Sequence, residues 1–196
     1  MLGLVLASTS QARRRLLRAV GVAHRAVAPR LDEELAKRAL GALPPEALAT
    51  ALARLKAESV LARHSGQAVL GADQVLVCEG RIFAKPRDRG EARAQLRALR
   101  GRRHSLVTAL ALFAPGRAVW THVDRSDLVM RDFGDRFLRR YLAAEDEAVL
   151  RSVGGYRIEG LGLQLMTAVT GDWCAIQGLP LLPLLGRLRE LRLVAS

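Results

Sequence analysis

The chain has 196 residues, half of them hydrophobic and only two of them cysteine, so it can bury a full core without disulfide or metal staples and fits one large domain or two small lobes. No run reaches the roughly 20 apolar residues of a spanning helix, and MLGLVLASTSQARRR sets its apolar run before its basic run, the reverse of a secretory signal; a soluble cytoplasmic protein with no membrane partner and with Cys78 and Cys174 reduced is expected. The net charge of +12 would suit a polyanion, but Lys37, Lys56 and Lys85 are the only lysines, the 28 arginines are scattered as a coding bias scatters them, and 4% aromatics build no stacking platform, so composition argues against nucleic acid.

In chain order, Leu2–Ala7 reads as a short buried strand. Ser8-Thr9-Ser10 then offers cap hydroxyls to a helix over Gln11–Val20, stopped by Gly21. With Ser10 as the cap, Arg13 is the third helical residue. Arginines in an opening turn are unfavourable beside the positive end of the helix dipole, unless an anion sits where N–H groups, hydroxyls and guanidinium converge. Asp32-Glu33-Glu34 supplies carboxylates in a loop or helix start; they form either a solvated cap or a set of hard oxygen ligands of the kind magnesium takes. Pro44-Pro45-Glu46 opens a helix over Glu46–Arg63 with Leu48, Leu52, Leu55, Ser59 and Ala62 on its inner face and Lys56 at the margin of that stripe. Residues 68–85 form two strands around Glu79-Gly80. Asp88–Leu99 is a helix, Leu106–Phe113 and Arg117–Met130 are strands, Asp135–Ala143 is a helix, Leu163–Val169 is a strand, and a last helix follows Pro180. The fold class is α/β, a mixed twisted sheet covered by helices.

Asp73 stands out because it interrupts an apolar strand, where an unpaired carboxylate costs several kcal/mol on the order of magnitude of buried charges. A two-residue loop at Glu79-Gly80 would set Lys85 opposite Gln74. A three-residue loop, Cys78-Glu79-Gly80 with a left-handed Gly80, sets Lys85 opposite Asp73, Phe83 opposite Val75 and Ile82 opposite Leu76. The second register is expected, with Asp73 and Lys85 either serving a common ligand or forming a structural ion pair. The four histidines lack metal-ligand spacing, and Gly160-Leu161-Gly162 leads into a strand rather than the helix a dinucleotide fingerprint needs.

Taken together, LASTSQARRRLL, Asp32-Glu33, LKAESV, GADQVLVCEGRIFAKP, LRGRRHSLVTAL, GGYRIEG and GDWCAIQGLPLLPLL resemble the Maf family of nucleoside triphosphate pyrophosphatases over nearly the whole chain. The resemblance implies a single domain over residues 1–196, two lobes around a nucleotide cleft, frequent dimerisation, and cleavage of a triphosphate to monophosphate and pyrophosphate with a divalent cation, Mg2+ or Mn2+. It implies Asp73 as the proton acceptor and roles for Ser8, Arg13, Glu33, Lys56 and Lys85; the chemistry would have Asp73 polarise the water or hold the cation, assisted by Glu33 or Asp32, and Lys56, Lys85, Arg13 and Ser8 bind the phosphate chain.

Three positions bear on the base. Gln11-Ala12 stands where many members have Pro-Arg, Asp73-Gln74 where they have Asp-Thr, and Glu159 where they have glutamine. Gln74 and Glu159 look like the branch preferring 7-methyl-GTP; Thr and Gln there mark the branch acting on dTTP and UTP. A carboxylate suits guanine, which presents two adjacent donors, and also the positive charge of a 7-methylated ring. Ala12 fits neither pattern, and Ala84 replaces the usual glycine before Lys-Pro. The rival reading is a non-catalytic nucleotide sensor regulating division on the same scaffold.

Overall fold

The computed structural model describes residues 3–41 and 43–195. Its elements run β1 (Leu4–Ala7), α1 (Gln11–Ala19), β2 (Arg25–Val27), α2 (Glu33–Leu40), α3 (Pro45–Leu61), β3 (Ala68–Cys78), β4 (Arg81–Phe83), α4 (Arg89–Leu99), β5 (Arg103–Phe113), β6 (Trp120–Met130), α5 (Asp135–Ala144), β7 (Met166–Thr170), α6 (Trp173–Ile176) and α7 (Leu181–Glu190). The strands hydrogen-bond in the order β2-β1-β3-β5-β6-β7, with β4 on β3. β1 is parallel to β2 and β3, whereas β4 and β7 are antiparallel to their neighbours, so the sheet is mixed, as expected.

Most sequence-derived elements stand within a few residues of their expected limits. Leu2, the expected start of the first strand, lies outside the described residues. β6 starts at Trp120 because the Ala114-Pro115-Gly116 turn closes through Arg117 N–H on the Ala114 carbonyl at 3.1 Å. β7 starts at Met166 because Leu161–Leu165 winds into a 3-10 turn. The acidic run proves to be a helix start: Asp32 Oδ1 accepts from Leu35 N–H at 2.9 Å and opens α2. β2 and α6, of three and four residues, are too short to show periodicity and were not anticipated.

Contacts divide the chain into two compact units: the residues up to Asp73 with Thr108–Asp124 and those from Trp173 onward, and Gln74–Val107 with Arg125–Asp172. In the first unit the period-two alternation of β1 and β3 sorts the core into two faces. Leu4, Leu6, Leu70 and Ala72 pack with Leu16 and Leu17 of α1 and with Leu181, Leu184 and Leu188 of α7. Val5, Ala7 and Val69 pack with Ala57 and Val60 of α3. Continuing the odd positions of β3 past Val69 gives Gly71 and then Asp73, so the aspartate shares the α3 face.

The second unit holds the hairpin, and there the expected register is corrected. Leu76 pairs with Phe83, Val77 with Ile82 and Cys78 with Arg81, which leaves a two-residue loop. Glu79 at φ 49° and Gly80 at φ 77° are both left-handed, the pattern of the type I′ turn whose twist matches that of the flanking strands. The left-handed glutamate is tied by an ion pair, Glu79 Oε2 to Arg102 Nη1 at 2.5 Å. In this register Lys85 falls level with Gln74, and β4 has already ended at Phe83. The hairpin therefore does not set Lys85 against Asp73.

The second unit also buries His104, whose Nε2 lies 2.7 Å from the Tyr156 hydroxyl with the rings edge to face at 5.6 Å. Burial holds the imidazole pKa down to about 4. Because the unfolded chain takes up this proton near pH 6.5 and the folded chain does not, stability conferred by neutral His104 is complete above pH 6.5 and is lost as pH falls toward 4. The expected loss is about 3 kcal/mol at most. Urea unfolding at pH 7 and pH 4.5 should show it, and His104→Gln should flatten the difference; an equal slope in that variant would assign the acid sensitivity elsewhere.

Candidate functional site

The site is built where β1 ends and its parallel pairing with β3 stops, β3 itself running on to Cys78. Their parallel register runs from Leu4↔Ala68 to Ala7↔Gly71, so Ser8 and Asp73 both lie just past the paired run. The carboxyl end of a parallel strand is where open α/β sheets place ligands, and β1 ends here.

On the β1 side, Ser10 caps α1 and its Oγ accepts from Arg13 N–H at 3.3 Å. Ser8, almost fully buried, accepts from Ser10 N–H at 3.1 Å and from Arg13 Nη1 at 3.3 Å. The Arg13 Nε donates to the Gly178 carbonyl at 2.9 Å. Helix start, hydroxyl and guanidinium thus converge as the sequence suggests, and no acidic residue lies in the first turn to neutralise them. Ala12 sits in that turn, half-buried. Burial pulls the Arg13 guanidinium below its ordinary value, while the charges of Asp73 and then Glu33 pull it back up.

On the β3 side, Asp73 is answered by Lys56. The ammonium lies 2.5 Å from Asp73 Oδ1 and 3.1 Å from Glu33 Oε1. Lys56 is not at the margin of the α3 stripe: Leu48, Ala49, Leu52, Ala53, Lys56, Ala57 and Val60 are the buried residues, while Leu55 and Ser59 are only half-buried and Ala62 is exposed. The buried face is turned from the expected one because α3 packs through alanines. Their small side chains let the helix come close to β3, and Gly71 completes the approach. A Cβ there would stand 2.0 Å from the Ala53 carbonyl oxygen, closer than any contact allows. A glycine inside an apolar strand is a sequence signal of such a close approach.

The second oxygen of Asp73, Oδ2, is buried and has no hydrogen-bond partner among the described residues. A carboxylate held by one oxygen and open at the other is poised to accept a proton or to meet a cation. Glu33 has its carboxylate on the same ammonium, whereas Asp32 spends Oδ1 on capping α2. Lys37 lies 4.0 Å from Glu34 Oε1, three residues before it.

The remaining candidates belong to the second unit. Gln74 is half-buried in β3, Lys85 is exposed in the segment after β4, and Glu159 is exposed in the turn after Ile158. The first unit thus gathers Ser8, Arg13, Glu33, Lys56 and Asp73. Among the described residues, no three His, Cys, Asp or Glu side chains gather as a metal cluster, and no helix is long and apolar enough to cross a membrane.

The chain is 48% identical over 190 residues to the nucleoside triphosphate pyrophosphatase of Granulibacter bethesdensis, covering 95% of this chain and 96% of that protein. It is 44% identical over 191 residues to the 7-methyl-GTP pyrophosphatase of Rhizobium meliloti, covering 96% of each. Among solved structures, the Ham1 protein of Staphylococcus aureus superposes with a TM-score of 0.45 at 16% identity, over 66% of this chain and 72% of that one. The pattern of the family described as Maf-like protein matches residues 3–191, and with such coverage and identity the chain belongs to the Maf family.

Proposed function

We propose that this protein hydrolyses nucleoside triphosphates to nucleoside monophosphate and pyrophosphate, with a preference for 7-methyl-GTP or a related modified purine. The observation that carries the reading is Asp73: a buried carboxylate within β3, just past its parallel pairing with β1, fixed through Oδ1 by Lys56 and unpartnered at Oδ2 among the described residues. Relatives named nucleoside triphosphate pyrophosphatase and 7-methyl-GTP pyrophosphatase support the two levels of the proposal.

Cleavage between the α- and β-phosphates needs a water aligned with the α-phosphorus and cations to take up charge on the departing pyrophosphate. Asp73 Oδ2 takes the proton of that water, and Lys56 holds the carboxylate in place through Oδ1. Arg13 and Ser8, with the first-turn N–H groups of α1, bind phosphate oxygens; Lys85 is assigned to the same chain, and Gln74, Glu159 and Ala12 to the choice of base. A divalent cation that arrives with the substrate would find a carboxylate ligand in Glu33, with phosphate oxygens and waters completing the set that magnesium takes, and Asp73 Oδ2 would stay with the water. Bound there, the cation neutralises charge along the triphosphate.

The test is pyrophosphate release by the purified protein with magnesium or manganese, using 7-methyl-GTP, GTP, UTP, dTTP and CTP. Turnover of 7-methyl-GTP at least about tenfold above the others in kcat/KM is expected, and Glu159→Gln should erase most of that margin. A preference for UTP or dTTP would keep the reaction and refute the assignment of Gln74 and Glu159. Binding without any turnover would favour a nucleotide sensor.

A further inference from the structure

The turn that carries Glu159 is held more firmly than an exposed turn requires. Gly160 N–H donates to the Arg157 carbonyl at 3.2 Å, so Ile158 and Glu159 are its central pair; Ile158 is buried and Glu159 is exposed. A Cβ at Gly162 would stand 2.3 Å from the same Arg157 carbonyl oxygen, so the chain leaving the turn lies directly on its entry.

The side chain of Arg157 provides the anchor. Its Nη2 and Nε donate to one oxygen of Glu145, Oε2, at 2.9 and 3.3 Å, and the Glu145 side chain is 1% exposed. Glu145 is itself fixed where α5 ends. Its N–H bonds the Tyr141 carbonyl, and its own carbonyl accepts from Arg89 Nη2 at 2.9 Å while Arg89 Nη1 donates to the Leu142 carbonyl. The other carboxylate oxygen, Oε1, is buried without a hydrogen-bond partner among the described residues. A buried carboxylate left half satisfied is a poor device for stability alone, since an apolar pair of similar volume serves as well or better. It does give the turn a directional attachment, to which Asp146 Oδ1 adds a looser contact at 3.8 Å from Arg157 Nη2.

We infer that the Glu145–Arg157 pair is a positioning device for selectivity: it holds the Arg157–Gly160 turn in one conformation, so that the Glu159 carboxylate meets the base already ordered. This rests on the assignment of Glu159 to base choice. A carboxylate on a fixed turn rewards only the base whose donors match it, whereas one on a loose turn adapts to several. Loosening the turn therefore lowers selectivity and raises KM for the preferred base, leaving kcat nearly unchanged.

The experiment uses the full chain with Glu145→Gln, which keeps the shape of the side chain and removes its charge. Arg157→Lys, which keeps charge and removes the guanidinium fork, serves as a second variant should the first fold poorly. Two quantities are read: amide hydrogen exchange at Gly160, and the ratio of kcat/KM for 7-methyl-GTP to that for UTP. Exchange at Gly160 faster by about tenfold or more, with the ratio falling about tenfold through KM, is the expected result. Unchanged exchange overturns the inference whatever Glu159→Gln does. Faster exchange with an unchanged ratio also overturns it, provided Glu159→Gln does lower the ratio. If Glu159→Gln leaves the ratio unchanged, the base assignment fails, and the selectivity role of the pair fails with it.

Discussion

Asp73→Asn is expected to lower the rate of pyrophosphate release by about 10³-fold while leaving nucleotide affinity within a few-fold of wild type. The amide keeps the size of the carboxylate and can still accept from Lys56 through its oxygen, but it cannot take a proton from water. Removing one member of a buried ion pair commonly costs about 3–5 kcal/mol when the other is left alone. Here Lys56 retains Glu33 at 3.1 Å, so the variant should fold and the loss should lie in kcat. Calorimetric titration with a non-hydrolysable triphosphate separates binding from turnover. Turnover within tenfold of wild type would remove Asp73 from the role of base.

Gly71→Ala is expected to damage stability and catalysis together. The added Cβ would stand 2.0 Å from the Ala53 carbonyl oxygen and 3.0 Å from Ala57 N. Neither backbone atom can rotate aside as a side-chain end can, so α3 must move outward by about 1 Å to restore contact distance. The cost is about 3 kcal/mol, or a fall in Tm of about 6–12 °C for a chain of this length. Because Lys56 lies on the moving helix, its ammonium leaves Asp73, and a displacement of that size lowers kcat by about 10²-fold. Thermal unfolding and steady-state kinetics check both parts. An unchanged Tm would mean that α3 does not bear on β3 as described.

The contrast between Asp73 and Lys85 shows what the chain makes legible. That Asp73 needed compensation could be read from one residue and its apolar neighbours, because the cost of a buried charge is local. Its partner could not be read that way. Hairpin arithmetic favoured Lys85, but the register depends on whether Glu79 adopts a left-handed conformation, and that is decided by twist and by Arg102, 23 residues on and just before β5. Lys56 was legible as an inward-leaning lysine and not as the partner, because the distance between α3 and β3 is set by alanines and Gly71 acting across the packing. The α1 site was readable almost in full, since cap, hydroxyl and Arg13 lie within six residues and follow helix geometry. Only the Gly178 carbonyl escaped, being 165 residues away in sequence.

That long-range bond has a consequence for how the protein comes into being. The unit carrying Ser8, Arg13, Lys56 and Asp73 is encoded in three separated stretches, the last starting at Trp173, while every residue of the other unit precedes it. Synthesis proceeds from the amino end, so Arg13 leaves the ribosome early and has nothing to receive its Nε until Gly178 follows. The face of β1 and β3 that α7 covers stays open just as long. A nascent or prematurely terminated chain therefore carries Asp73 and Lys56 without a seated Arg13, so under the roles proposed above no incomplete copy holds the whole site.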